Sequence, residues 1–144
     1  MDETVFYPRK AEELEEIRKR FSIPSDAHIL LYVGRLNIQK NIHSLLYMFN
    51  EVRARVPNSY LCIVGEEDDI SLGEFRVRNT GYLKWLHSIT KNLGITEKVK
   101  FVGSLFGEDL ARMYSAASVV VNLDFIIVKT SVYHKQKQLR VVSL

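Results

Sequence analysis

His28-Ile29-Leu30-Leu31-Tyr32-Val33-Gly34-Arg35-Leu36 decides how this 144-residue chain is read. The run from Ile29 to Val33 is short, apolar and does not alternate with polar residues. That is the pattern of a strand buried on both faces. Tyr60-Leu61-Cys62-Ile63-Val64-Gly65 and Val99-Lys100-Phe101-Val102-Gly103 repeat the form, and Ser118-Val119-Val120-Val121-Asn122-Leu123 supplies a fourth strand.

Helical spacing fills the intervals. Ala11, Leu14, Ile17 and Phe21 share one face of a leading helix that Ile23-Pro24-Ser25-Asp26 ends. Ile42, Leu45, Leu46, Phe49, Val52 and Val56 trace a second apolar stripe, stopped by Pro57-Asn58. Leu83, Leu86, Ile89, Thr90 and Leu93 make a third, closed by Gly94 as a C-terminal cap. Asp109 to Ala116 is a short fourth helix. Glu66 to Gly81 is polar and reads as a long loop placed to act as a lid.

Strands alternating with helices imply a parallel sheet with right-handed crossovers. The expected fold is α/β: a partial, doubly wound, Rossmann-like sheet of four strands in the order 3-2-1-4, with helices on both faces. The pattern stops after the fourth strand.

Composition bounds the rest. At 47% hydrophobic and 26% charged residues the chain is an ordinary globular domain. A domain of this size buries roughly two thirds of its unfolded surface and needs no disulfide or metal staple. Its single cysteine, Cys62, excludes an internal disulfide and a cysteine-based zinc site, and points to a cytoplasmic location. No apolar run approaches the ~18 residues of a transmembrane segment. Met1-Asp2-Glu3-Thr4 does not read as a signal peptide. The net charge of +3 is uneven: Lys129, Lys135, Lys137 and Arg140 stand in a tail without acids, which leaves −1 for residues 1–124. A basic tail on a neutral body argues against nucleic-acid binding.

Ligands of open α/β sheets sit beyond the carboxyl ends of the strands. Three strands here close on a glycine, at Gly34, Gly65 and Gly103, where a ligand or another backbone can approach. Arg35 follows the first, and Lys40 stands five residues on, at a helix start. Two cations beside a helix N-terminus suit a diphosphate. The competing readings are an Arg35 paired only with a neighbouring carboxylate and a Lys40 that faces water. His43 reads as an exposed or core-edge histidine, Cys62 as core and Trp85 as packing. Glu66, Glu67, Asp68 and Asp69 read as an acidic solvated loop, since consecutive residues do not converge on one metal ion.

The series Ile29 to Leu36, Lys40-Asn41-Ile42, Leu61 to Gly65, Val99 to Gly103, Asp109 to Ala117 and Val119 to Leu123 closely resembles the donor-binding domain of retaining GT-B glycosyltransferases, glycosyl transferases group 1 (family 4). The resemblance covers roughly residues 7–124. It implies a nucleotide-diphosphate sugar as donor substrate, with no cofactor and no metal. It implies that Arg35 and Lys40 hold the diphosphate, that Gly34 and Gly65 give backbone clearance, and that Val102, Gly103, Ser104 and Leu105 lie against the base. Residues 1–124 are then a partial donor domain, 1–26 being its leading helix and linker.

The family continues with E-x-F-G and, eight positions after its first glutamate, E-A-x-x-x-G-x-P. Residues 125–144 match neither and form a non-homologous basic tail. Each adjacent pair of residues limits the residue encoded in a shifted frame. Lys129-Thr130 allows only Asn or Asp, Tyr133-His134 only Ser or Pro, and Gln136-Lys137 only Lys or Glu. A permitted shifted reading of the pairs from Val128-Lys129 onward is E-N-F-G-L-S-Q-T-E-A-I-A-C-G-I-P, so a frameshift near codons 123–127 accounts for the tail. The alternative is an authentic, divergent tail. On this reading the chain alone is inactive. A second function class is a non-catalytic module whose uncovered edge at Val119–Leu123 favours self-association or docking to a separately encoded N-terminal acceptor domain.

Overall fold

The computed structural model describes residues 10–78, 81–122, 125–129 and 139–143, the last two segments and residues 71–72 by backbone alone. Met1 to Thr4, Lys135, Lys137 and the end of the expected fourth strand at Leu123 lie outside the described residues.

The sheet is assembled from β1 (His28–Val33), β2 (Ser59–Val64), β5 (Val99–Gly103) and β6 (Val119–Val121), which run parallel in the order β5-β2-β1-β6. This is the expected 3-2-1-4 arrangement. The helices are α1 (Ala11–Arg20), α2 (Ile42–Arg55), α3 (Tyr82–Leu93) and α4 (Gly107–Ala116).

Alternate side chains of one strand go to opposite faces, and here both faces are covered. Leu30, Tyr32, Leu61 and Ile63 pack with Leu46 and Phe49 of α2 and Leu86 of α3. Ile29, Leu31, Cys62 and Val64 pack with Ile17 of α1 and Met113 of α4. The absence of alternation in the strand sequences follows from these two cores.

The ends of the helices are satisfied in different ways. In α1, Glu12 and Glu13 occupy the first turn and Arg18, Lys19 and Arg20 the last, which complements the helix dipole. Arg18 does more: its Nη1 donates to the carbonyls of Pro24 and Ala27, at 2.9 Å each. It thereby ties α1 to the turn that feeds β1, and burial lowers its pKa from the ordinary arginine value. Gly94 closes α3 in the left-handed region, with Gly94 N–H donating to Lys91 O and Ile95 N–H to Thr90 O.

Two expectations are corrected. The polar stretch after β2 is not a loop throughout: Ile70–Leu72 (β3) and Phe75–Val77 (β4) form an antiparallel hairpin. Gly73, at φ +61°, supplies the positive φ its tight turn requires. The sheet also does not stop at β6. Phe125–Lys129 (β7) pairs antiparallel with β6, and Leu139–Ser143 (β8) pairs with β7, giving six strands. The edge expected to lie open at Val119–Leu123 is therefore paired over Val119 to Val121. Apolar, β-branched residues such as Ile126, Ile127, Val141 and Val142 have the propensity for such a pairing.

Candidate functional site

The carboxyl ends of β1, β2 and β5 are joined through their glycines. Gly34 N–H donates to Val64 O, and Gly65 N–H donates to Gly103 O. Gly65 has φ +141°, and a Cβ built on it would stand 1.8 Å from the Gly34 carbonyl oxygen. Only glycine permits this approach. A Cβ on Gly34 would stand 2.7 Å from the Tyr32 hydroxyl. That hydroxyl donates to the carbonyl of Arg35 at 3.0 Å, which fixes the backbone where the arginine leaves the strand. Burial pushes the Tyr32 pKa up to about 12, so the hydroxyl remains a donor across the physiological range.

Beyond the glycines the chain after β1 runs beside the chain after β2. Leu36 N–H donates to Glu66 O, Asp68 N–H to Leu36 O, and Leu36 and Glu67 form a parallel bridge. Glu67 Oε1 accepts from the N–H of Leu83 at 2.6 Å. The carboxylate thus caps α3, whose own N-cap residue, Gly81, has no side chain to offer. Tyr82 caps α2 in turn: its hydroxyl accepts from His43 N–H at 3.2 Å and lies 2.9 Å from His43 Nδ1.

These strand ends enclose a cleft of about 430 Å³. Its walls are Val33 at the end of β1 with Gly34 and Arg35 after it, Val64 at the end of β2 with residues 65–68 after it, and Ser104, Leu105 and Phe106 from the loop after β5. Of the residues expected to bind ligand, Gly34, Arg35, Gly65, Ser104 and Leu105 come together in this cleft. Val102, Gly103 and Lys40 are not among its lining residues. Lys40 is exposed on a one-turn 3-10 helix, Ile38–Lys40, and α2 begins only at Ile42.

Two cleft residues escape sequence reasoning. Asp68 forms an ion pair with Arg35, Oδ2 to Nη1 at 3.2 Å. The carboxylate partner weighed for Arg35 is thus real, and it stands within the cleft. Phe106 lines the rim with 80% of its surface exposed. Its one signal was its position directly after Leu105.

The remaining single residues have structural roles. Cys62 is fully buried, and burial pushes its thiol up to about 12. His43 sits at the core edge and Trp85 is 44% exposed, its ring tilted against His43 at 5.0 Å. Glu67 and Asp68 turn to different partners, and among the described residues no group of three His, Cys, Asp or Glu gathers to hold a metal.

A sheet whose β5-β2-β1-β6 portion is parallel, covered by helices on both faces and ending in a cleft at its glycines, defines an α/β domain of the Rossmann-like type. The family model of glycosyl transferases group 1 matches residues 13–123, and the chain belongs to that family. It is 31% identical over 110 residues to an uncharacterised glycosyltransferase of Methanocaldococcus jannaschii, covering 76% of this chain and 25% of that protein. The chain thus spans about a quarter of the length of that curated relative. Among solved structures it is similar to an Anabaena protein, HepE, crystallised with UDP and glucose: TM-score 0.67, 20% identity, 85% of this chain and 29% of the other. It is equally similar in fold to the C-terminal domain of a glycosyl transferase group 1 family protein from Francisella tularensis: TM-score 0.65, 20% identity, 85% of this chain and 57% of the other. The fold shared with both is the α/β, Rossmann-like one expected from the sequence.

Proposed function

We propose that the cleft binds the diphosphate of a nucleotide-sugar donor for retaining glycosyl transfer. The observation that carries this is the placement of Arg35 at the carboxyl end of β1, inside a cleft walled by close-packed backbone. Its guanidinium, 71% exposed, is free to reorient toward a phosphate and offers two parallel donors to it. In the reaction it steadies the charge that develops on the departing diphosphate. Lys40, on the 3-10 helix before α2, lies outside the cleft lining, so the cation of this site is Arg35. Gly34 and Gly65 keep the floor low, and Ser104 to Phe106 cover the base. An acceptor-binding domain, on the same polypeptide or separately encoded, supplies the facing wall of the cleft. No cofactor is required, and the setting is the cytoplasm.

The 144 residues by themselves transfer no sugar on this reading, because acceptor positioning and water exclusion need that facing wall. Calorimetric titration with UDP, GDP and ADP tests the site. Binding of one of them that Arg35→Ala weakens about tenfold or more supports it, and binding unchanged in Arg35→Ala removes the phosphate role. A glycoside formed by the purified chain contradicts the inactivity.

We also infer that the tail is the product of a shifted reading frame. The family match ends at residue 123, and the resemblance in sequence stops at about residue 124. Sequencing the coding DNA past codon 115 decides it. A shifted frame that runs on through E-x-F-G into further strands supports the frameshift, and a frame closed by stops makes the tail authentic.

A further inference from the structure

The cleft is not electropositive. Glu66, Glu67 and Asp68 line it together with one cation, Arg35. The three carboxylates are not equivalent. Glu67 is committed to the N-terminus of α3. Glu66 is exposed and directs its carboxylate to no described partner. Asp68 alone holds the arginine, through Oδ2, while its Oδ1 accepts from the N–H of Asp69 at 2.9 Å. Its own N–H is tied to Leu36 O. The carboxylate is therefore anchored on the loop, and the long, more exposed guanidinium is the partner able to move: 71% against 41% side-chain exposure.

We propose that Asp68 sets the affinity of this cleft by competing with the ligand's phosphate for Arg35. The inference rests on the diphosphate reading above and deepens it. Before ligand binds, the ion pair points Arg35 at Asp68. A diphosphate must draw the guanidinium away from the carboxylate, or share it, and must then tolerate a fixed negative charge nearby. Both effects weaken binding, and both are screened by salt.

Titration of UDP into the full chain and its Asp68→Asn, Arg35→Ala and doubly substituted variants tests this. Asn keeps an Oδ1 to accept from Asp69 N–H, so the loop is retained. At low salt Asp68→Asn is expected to bind about three- to tenfold more tightly than the parent, the scale of one exposed ion pair plus one nearby like charge. The gain shrinks at high salt and is much smaller in the Arg35→Ala background, because the competition acts through Arg35. An equal gain in both backgrounds overturns the competition in favour of a general charge effect. Unchanged or weaker binding by Asp68→Asn, with or without a loss of stability, overturns it as well. Binding by Arg35→Ala equal to the parent's is a different failure: it removes the diphosphate reading itself.

Discussion

Gly65 and Gly34 meet backbone to backbone: there is no room for a side-chain carbon between the Gly65 Cα and the Gly34 carbonyl oxygen. The contact sets how closely the ends of β1 and β2 converge, and with it the depth of the cleft floor. Gly65→Ala forces a methyl group into the position 1.8 Å from that oxygen at a φ of +141°. A rigid backbone cannot yield as a side-chain tip can. We expect a loss of at least about 3 kcal/mol, or failure to fold, in urea denaturation.

Gly34→Ala meets a softer obstacle, the Tyr32 hydroxyl at 2.7 Å. The new methyl displaces the hydroxyl and breaks its bond to the Arg35 carbonyl, at a cost of about 1–2 kcal/mol. Tyr32→Phe removes both the obstacle and the bond. The two substitutions together should therefore cost less than the sum of their separate costs in urea denaturation. Strict additivity contradicts the steric link.

Glu67 links the cleft to α3. Glu67→Ala removes the acceptor of Leu83 N–H. Loss of a helix cap costs about 1 kcal/mol. Hydrogen exchange at the start of α3 should accelerate more than exchange in α4, and uniform acceleration contradicts a local capping role.

Alkali should destabilise the chain through buried groups. The Cys62 thiol is raised from 9.0 to about 12, and the Tyr32 phenol from 10.0 to about 12, both first of all by burial. The sign follows from proton counting. Between the unfolded and folded values the unfolded chain has lost the proton and the folded chain retains it, so stability falls as pH rises. Stability from this source is intact below about pH 9 and is lost progressively from pH 9 to 12. The urea midpoint should drop across that window, and Cys62 should resist a thiol reagent at pH 8 until urea is added. Rapid native labelling contradicts its burial.

The parallel core was legible because its cause is local in sequence. Ile29 to Val33 and Leu61 to Val64 are apolar at every position, and a strand covered on both faces demands that pattern. Gly34 and Gly65 were legible for a related reason, since a glycine that ends a buried strand marks close approach. The hairpin was hidden because Ile70–Leu72 and Phe75–Val77 are three residues each, too short for a period to register. Asp68 was hidden because its contact with Arg35 joins loops after two different strands, which only the parallel register of β1 and β2 sets side by side. Lys40 shows the limit of spacing: five residues from Arg35 in sequence, it stands outside the cleft lining.

Amide chemical-shift mapping of the isotopically labelled chain during addition of UDP locates the ligand without assuming which residue binds it. If the cleft is the diphosphate site, shifts concentrate at Gly34, Arg35, Gly65, Ser104 and Leu105 and saturate together, while α1 and the edge of β5 stay still. Shifts centred elsewhere, or none at all with any of the three nucleoside diphosphates, contradict it.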